Sequence, residues 1–505
     1  MKNLYTVILI STVLFGCSNQ KQTESTPKPN PNIVFFFVDD MGWQDTSVPF
    51  HTEVTKLNKQ YYTPNMEQLA KEGVKFTQAY ASALCSPSRI SLMTGMNAAR
   101  HRVTSWTLRK DVSPDQQNKK IQAPEWNVNG QSAEPNQPRT VYAQTLPQLL
   151  KRAGYKTIHA GKAHFGAKDT SGENPLNLGF DVNIAGHAAG GPGSYWAKYN
   201  FSADWRSPGN HIWDVPGLEK YHGTDIFLTE ALTIEANEAI NTAVKEKKPF
   251  YLYMSHYAIH APWEKDDRFY QKYIDAGLSE FDATYASMLE GMDKSLGDIR
   301  ANLKRLGVDD NTVIVFMSDN GAPKQAARNL PLRGHKISPY EGGTRVPMMI
   351  KWPGITKPET VNNQYLIIED IFPSFLEMAG LQEEANKSID GISFLPLLNE
   401  NGDYPKDRPI YWHFPNTYDQ PPYSSVRKGD WKLIYHHTDR KIEVFNLIKD
   451  IGEQTDLSKT NTAKTKELAG LLTEHLIASK ALMPTDKISG ELVEYPMDAI
   501  LNKSE

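Results

Sequence analysis

Cys85-Ser86-Pro87-Ser88-Arg89, running on into Ile90-Ser91-Leu92-Met93-Thr94-Gly95, joins a nucleophile to a cation in what reads as a turn feeding a helix. Proline suits the first helical position and a serine before it suits the N-cap. The helix is therefore expected to begin at Pro87, with Ser86 capping it. Cys85 would then sit at a positive helix end, where an anion is favoured. Arg89, on the first turn, could neutralise a neighbouring negative group. A second set is rich in oxygen: Asp39-Asp40 and Asp319-Asn320 each close an apolar run. Hard oxygen ligands suit Ca²⁺ or Mg²⁺ and not a soft metal. Without a cation, carboxylates crowded in this way would repel one another. Lys162 and His164 follow a third apolar run, and His256 and His260 a fourth. Each cluster alone reads as a solvated loop; together with the cysteine they point to one shared site.

The elements that must carry these groups are legible. Ile33-Val34-Phe35-Phe36-Phe37-Val38 is apolar throughout and stops at Asp39. Continuous runs of this kind suit parallel strands buried on both faces. The pattern returns at Tyr155 to Ile158, Phe250 to Met254 and Thr312 to Met317. Helical spacing falls between the runs, at 65–72 (closed by Gly73) and at 224–245. Strands alternating with helices predict a doubly wound α/β sheet. Such sheets bind ligands beyond the carboxyl ends of their strands, where the polar residues lie. The last hundred or so residues differ. Asp430 to Tyr435 and Ile442 to Leu447 alternate as half-exposed antiparallel strands do. A helix at 462–480 follows, which together predict a smaller α+β subdomain. The segment 485–505 reads as a polar tail or a contact arm.

The chain has 505 residues, 39% hydrophobic and 23% charged, enough apolar material for a sizeable core. A net charge of −4 speaks against a nucleic-acid partner held by a general basic field. Lys2 and the apolar stretch 4–15 form a signal-peptide pattern too short to span a bilayer. Leu14-Phe15-Gly16-Cys17 resembles the lipobox of bacterial lipoproteins. That resemblance implies cleavage before Cys17, diacylation of its thiol, export, and anchorage in a bacterial membrane, at its periplasmic or surface side. An ordinary signal peptide with a chance cysteine is the alternative. Residues 18–31, polar and proline-bearing, read as a flexible tether. The expected organisation is a signal peptide over 1–16, a lipid-anchored tether over 17–31, a catalytic domain over 32–385, and a C-terminal subdomain and tail over 386–505. With Cys17 acylated, Cys85 is the thiol left in the folded body.

Cys85-Ser86-Pro87-Ser88-Arg89 resembles the C-x-P-S-R signature of type I sulfatases, in the alkaline-phosphatase superfamily. The likeness extends through Thr63-Pro64-Asn65, Leu69-Ala70 and Glu72-Gly73, through Asn329 to Lys336 and Glu341 to Pro347, and through Val426 to Leu433. It implies a large mixed, mostly parallel sheet flanked by helices, with a smaller C-terminal α+β subdomain. It implies that a formylglycine-generating or sulfatase-maturing enzyme oxidises Cys85 to formylglycine. Asp39, Asp40, Asp319 and Asn320, with an oxygen at position 85, would hold Ca²⁺, with Mg²⁺ the alternative. Lys162 would contact formylglycine and sulfate. His164 would take a proton from the second hydroxyl as sulfate leaves. His260 would stand beside the leaving oxygen and Lys336 would complete the sulfate pocket, one of the two acting as general acid. The family usually places tryptophan between the Lys162 and His164 positions and leucine after the latter. Ala163 and Phe165 depart from that, touching packing more than chemistry. His256 and His335 are weaker candidates.

An exported, anchored hydrolase of this kind fits an external sulfated oligo- or polysaccharide, from marine algae or animal glycosaminoglycans. Segments 102–140, 167–222 and 413–424 are expected to line an outer pocket. Trp106, Arg109, His187, Tyr195, Trp196, Trp205, Arg206 and Tyr423 are its candidate sugar and sulfate contacts. Two other readings stay open on the sequence alone. One is a phosphodiesterase or phosphonate monoester hydrolase of the same superfamily. The other is a catalytically dead glycan-binding lipoprotein.

Overall fold

The structure, a computed structural model, describes residues 30–326, 328–382, 388–399 and 402–502. Cys17, the leader and the boundary expected at 385/386 lie outside these residues. The chain enters the fold at Pro31, whose carbonyl accepts a hydrogen bond from Tyr155 Oη at 2.9 Å.

Nine strands form the main sheet. They are β1 (Asn32–Val38), β2 (Val74–Tyr80), β3 (Lys156–Gly161), β4 (Val182–Ile184), β5 (Phe250–Ser255), β6 (Thr312–Ser318), β7 (Arg345–Lys351), β8 (Thr360–Asn362) and β9 (Leu366–Ile367). Their order is β8-β2-β7-β6-β1-β5-β3-β4, with β9 also paired to β2. All pairings are parallel except those of β7, which runs against β6 and β2. The sheet is thus mixed and mostly parallel, as expected.

Why β1 is apolar at every position is visible in its two faces. Val34, Phe36 and Val38 pack into one core and Ile33, Phe35 and Phe37 into the other. Each such burial contributes about 1.5–3 kcal/mol. The first core is roofed by helices α1 (Pro64–Glu72), α4 (Leu228–Lys245) and α5 (Glu280–Arg305). The second is roofed by α2 (Cys85–Thr94), α3 (Leu146–Arg152) and α6 (Ile371–Met378). Of these, α1, α2 and α4 lie within a few residues of the expected helices, and α3, α5 and α6 are additional.

A four-stranded antiparallel sheet forms the small unit: β10 (Ile410–Phe414), β11 (Tyr423–Lys428), β12 (Trp431–His436) and β13 (Lys441–Asn446). Helix α7 (Thr462–Ala478) packs Leu468, Leu472 and Leu476 against Val426, Leu433 and Val444. Residues 485–502 do not project as an arm. Thr485–Asp486 pairs with Ile121–Gln122, and the short helix α8 (Pro496–Leu501) adds Ala499 to the same core.

The small sheet is bolted to the strand end that delivers the cysteine. Trp412 Nε1 donates to Ala81 O at 2.9 Å. The Lys432 ammonium, fully enclosed, lies 3.0 Å from Glu341 and 3.1 Å from Glu453. Buried charge is tolerable here because each group is paired.

Candidate active site

Register sets the site. Val38 of β1 aligns with Ser318 of β6, Phe37 with Ser255 of β5, and Ser255 with Gly161 of β3. The chain therefore steps off four neighbouring parallel strands at one edge. It presents Asp39-Asp40, Asp319-Asn320, His256 and Lys162 there. Beyond β2, residues 81–84 turn into α2, whose first residue is Cys85.

The expectation for that turn needs correcting. Ser86 is not the cap; it lies inside α2, Leu84 holds the N-cap position, and Pro87 is the third helical residue. The first four helical N–H groups have no intrahelical acceptor, so proline costs no hydrogen bond in the first turn. Cys85 still stands at the N-terminal end. Gly95 closes α2 in the left-handed region at φ 71°, the usual role of a glycine there.

All the expected site residues converge. Arg89 lies fully enclosed and bonds Asp319 Oδ2 through Nη2 at 2.8 Å and Nε at 3.2 Å. Its Nη1 reaches Ser255 Oγ at 2.6 Å and Lys162 O at 3.1 Å. Lys162 Nζ lies 2.6 Å from Asp39 Oδ2, and Lys336 Nζ 2.6 Å from Asp40 Oδ1. Asn320 Nδ2 donates to Asp40 Oδ1 at 2.8 Å, and the Asp40 backbone N–H to Asp319 Oδ1 at 3.1 Å. Asp40 and His164 hold left-handed backbone at φ 61° and 56°, an uncommon conformation for such residues outside turns and functional sites.

The two histidines are polarised in opposite senses. His164 Nε2 sits 2.8 Å from the Thr107 carbonyl. It therefore carries the proton, leaving Nδ1 buried with no partner. His260 uses Nδ1 to reach Ala261 O at 2.6 Å, and its Nε2 faces Asp40 Oδ2 at 3.8 Å. Gly190 and Gly191 close over both rings. A methyl built at Gly190 would lie 2.4 Å from His164 Cε1, and one at Gly191 2.8 Å from His260 Nδ1.

Electrostatics divides the carboxylates. Burial, then the nearby Asp319, pushes Asp39 well above the usual range, against the pull of Lys162. Burial would also raise Asp40, but Lys336, His260 and Lys162 outweigh it and hold its carboxyl well below. Burial and Lys336 lower His260 to about 3, and burial and Lys162 take His164 down as well. Burial raises the Cys85 thiol, so the unmodified side chain is a poor thiolate nucleophile.

The carboxylate and amide oxygens of the donor set fit a hard cation; the Cys85 sulfur, a soft donor, would fit once replaced by an oxygen. Asp39, Asp40 and Cys85 bring ligand atoms within 4.8 Å of one another. Asp39 Oδ1 and Asn320 Oδ1 are buried and accept no hydrogen bond. Buried oxygens are rarely left without a partner, and a divalent ion would satisfy both.

Cys85, His164, His260, Lys336 and Asp40 open into one cleft of about 500 Å³, also lined by Trp106, Trp213, Trp263, Tyr418 and Asp419. Of the candidate outer contacts, only Trp106 lines it. Tyr195 is buried and its hydroxyl donates to Tyr257 O at 2.7 Å and His260 O at 2.8 Å. Tyr423 donates to Ile337 O at 3.0 Å, bracing the residue after Lys336. Arg206 bonds Gly193 O, the carbonyl of His187 accepts from His164 N, and Trp196 is buried in the core. Trp205 lies out on the surface, 49% exposed and stacked on Tyr199, and Arg109 is exposed. His256 bonds Ser295 and is structural, whereas His335 reaches the cleft wall. The expected segments 102–140, 167–222 and 413–424 do line the cleft, through Trp106, Gly190, Trp213 and Tyr418-Asp419, but apart from Trp106 these residues were not singled out within them, and Trp263 lies outside all three. The Gly190-Gly191-Pro192-Gly193 cluster was the one local signal for a close approach.

Comparison with known proteins agrees with this geometry. The sulfatase family profile matches residues 31–381. The profile of the N-sulphoglucosamine sulphohydrolase C-terminal region matches 335–481. A sulfatase of Formosa agariphila is 26% identical over 93% of this chain and 92% of its own. The mouse N-acetylgalactosamine-6-sulfatase is 32% identical over 77% of this chain and 70% of its own. The crystal structure of Ps i-CgsB in complex with k-i-k-neocarrahexaose superposes with a TM-score of 0.73 at 28% identity, over 88% of this chain and 93% of that one. The chain belongs to the sulfatase family, among the type I members of the alkaline-phosphatase superfamily, and is a sulfuric ester hydrolase.

Proposed function

We propose that this protein hydrolyses sulfate monoesters on sulfated carbohydrates, using formylglycine made from Cys85 by a maturing enzyme, with a calcium ion bound beside it. The observation that carries the reading is the meeting of Cys85, at the head of α2, with Lys336, two histidines and Asp40 at one cleft, over a buried floor of Lys162, Asp39, Asp319 and Asn320. Relatives named for N-acetylgalactosamine-6-sulfate, and a similar structure holding a neocarrahexaose, support a carbohydrate substrate.

Asp39, Asp40, Asp319, Asn320 and the oxygen at position 85 would hold the cation, which supplies positive charge beside the ester and the attacking hydroxyl. Converted to formylglycine and hydrated, position 85 would supply one hydroxyl to attack sulfur and a second whose deprotonation would let the aldehyde re-form as sulfate leaves. Arg89 fixes Asp319 from beneath and keeps positive charge near position 85. Lys162 and Lys336 turn their ammonium groups to the sulfate oxygens and stabilise charge gathering there. His164 Nδ1, with its lone pair free, takes the proton of the second hydroxyl. His260 gives a proton to the departing oxygen. An incoming anion beside both ring and lysine favours their protonated forms, which offsets the low basicity of the resting His260. The tryptophans of the cleft would offer apolar faces to sugar rings.

The lipobox-like Cys17 supports an exported enzyme tethered to a bacterial membrane. Among the described residues no helix is long and apolar enough to cross one.

The test is sulfate release from a panel of sulfated galactose and N-acetylgalactosamine oligosaccharides. Residues 18–505 would be co-expressed with a formylglycine-generating enzyme and supplied with Ca²⁺. A bis-aryl phosphate diester completes the panel. Free sulfate from a sugar, with slower release from the diester, supports the reading. Faster diester cleavage with no sulfate from any sugar overturns it.

A further inference from the structure

The cleft has a second wall that the chemistry does not use. Between β10 and β11, residues 415–422 leave the small sheet and carry Tyr418 and Asp419 into the cavity that holds Cys85, His164, His260 and Lys336. The loop is pinned from below. Asp115 accepts from Thr417 N at 2.7 Å and from Asn416 Nδ2 at 3.1 Å. Thr417 Oγ1 donates to Gln116 O at 2.7 Å, and Gln116 N returns a bond to Thr417 O at 3.2 Å. Asp115 is itself held by Ser113 Oγ at 2.6 Å and Trp126 Nε1 at 3.0 Å. Tyr418 then meets Trp106 edge to face, with ring centroids 5.6 Å apart. Asp419 sits at φ 55°, a left-handed conformation that aspartate tolerates better than most residues.

The charge inventory of the cleft is lopsided. Arg89 and Lys162 are enclosed at its floor and engaged with Asp319 and Asp39. Lys336 is engaged with Asp40. What remains toward the mouth is Lys324, the His335 ring and the exposed carboxylate of Asp419. No hydrogen bond or ion pair to the Asp419 side chain is found among the described residues. A cleft built for a sugar with two sulfates would need spare cations at that wall. It has one such cation, Lys324, and sets the unpaired carboxylate of Asp419 into the same lining.

We infer that Asp419, presented by the pinned loop 415–422, sets substrate choice: it accepts hydrogen bonds from free hydroxyls of the sugar unit whose sulfate lies at position 85, and turns away a unit bearing a second sulfate on that side. This rests on the carbohydrate-sulfatase reading above. An ionised carboxylate pairs well with hydroxyl donors. A like charge set against it penalises the wrong ligand, which is how specificity is often obtained.

The test compares kcat/KM for two sugars, a monosulfated hexosamine and the same hexosamine carrying a second sulfate. It uses the converted, Ca²⁺-supplied wild type, Asp419→Asn and Asp419→Ala. The wild type is expected to favour the monosulfated sugar by at least about tenfold. Asp419→Asn keeps an acceptor and removes the charge, so the ratio should move toward the disulfated sugar by about tenfold or more, chiefly through KM. Asp419→Ala should move it similarly and also raise KM for the monosulfated sugar. A ratio left unchanged by Asp419→Asn overturns the inference and leaves the sulfatase reading standing. If the wild type cuts an aryl sulfate but neither sugar, the carbohydrate reading itself falls.

Discussion

Gly190→Ala is the sharpest single perturbation of the proposed chemistry. The backbone of Gly190 lies outside the left-handed region, so alanine adds no backbone strain. Its methyl would lie 2.4, 2.7 and 2.9 Å from Cε1, Nδ1 and Nε2 of His164, and these are its nearest neighbours. Ordinary carbon contacts are about 3.5–4.0 Å, so the imidazole must retreat by about 1 Å. It cannot do so freely, because Nε2 is held 2.8 Å from Thr107 O and the ring is fully buried. A misplacement of about 1 Å in a catalytic group can cost about 10²-fold. The expected outcome is a kcat about 10²-fold lower, about 2.7 kcal/mol in the barrier, with formylglycine content unchanged. Sulfate release at saturating Ca²⁺ reads the effect, beside mass spectrometry of the peptide bearing position 85. Gly470→Ala is the control, since nothing lies within 4 Å of its added methyl. It should leave kcat alone and stabilise α7 by about 0.5–1 kcal/mol. The methyl at 190 should act only through the ring, so adding Gly190→Ala to His164→Ala should cost little more than His164→Ala alone. Near-normal kcat in Gly190→Ala, or an equal loss in the His164→Ala background, would refute the reasoning.

Other consequences are equally direct. His260→Ala should lower kcat on a sugar sulfate by about 10²–10⁴-fold. It should cost much less on an activated aryl sulfate, whose leaving oxygen needs no proton; equal losses on both substrates would remove His260 from the role of acid. Chelation should lower the Tm, and Ca²⁺ at 100 times its Kd should restore about 2.7 kcal/mol; a Tm indifferent to chelator and Ca²⁺ would argue against the metal site. Glu369 makes stability depend on pH. It is buried, holds Asn97 Nδ2 at 2.8 Å through one oxygen, leaves the other without a partner, and burial pushes its carboxyl up to about 8. A folded value above the unfolded one means its contribution is complete below about pH 4.3 and is lost as pH rises through 8. Each pH unit in that window costs up to about 1.4 kcal/mol. Glu369→Gln should flatten the wild-type decline in Tm between pH 5 and 9, and a decline of the same slope would refute this.

Much of this was legible in the sequence, for identifiable reasons. β1 announced itself because Ile33 to Val38 must be apolar on both faces of a covered sheet, and a run with no alternation has few other uses. The site followed because polar residues directly after such strands share one sheet edge. Asp39, Asp319 and Lys162 were therefore expected together from their places after such runs and from the cysteine motif, and their roles from the resemblance to type I sulfatases. Ser86 was misassigned as a cap because proline is tolerated throughout the first turn and does not mark its first residue uniquely. The outer cleft was the least legible part. Composition marks a large aromatic residue but not the direction it faces. Tyr195 and Tyr423 turned inward to donate to backbone carbonyls, Trp205 turned to solvent, and Trp213, Trp263 and Tyr418 form the wall instead. Gly190 matters for what it lacks, against a ring 26 positions earlier in the chain; the local Gly190-Gly191-Pro192-Gly193 cluster signals a close approach but not its partner.

The central claim is that hydrolysis runs through an oxidised position 85 in this setting of lysines, histidines and hard oxygens. The most direct measurement takes one protein prepared with different fractions of Cys85 converted, each fraction read by mass spectrometry, and follows sulfate release from a sulfated galactosamine oligosaccharide in Ca²⁺. The account predicts a rate proportional to the converted fraction, reaching zero with the buried, unmodified thiol. Turnover by fully unconverted protein equal to that of converted protein would contradict it.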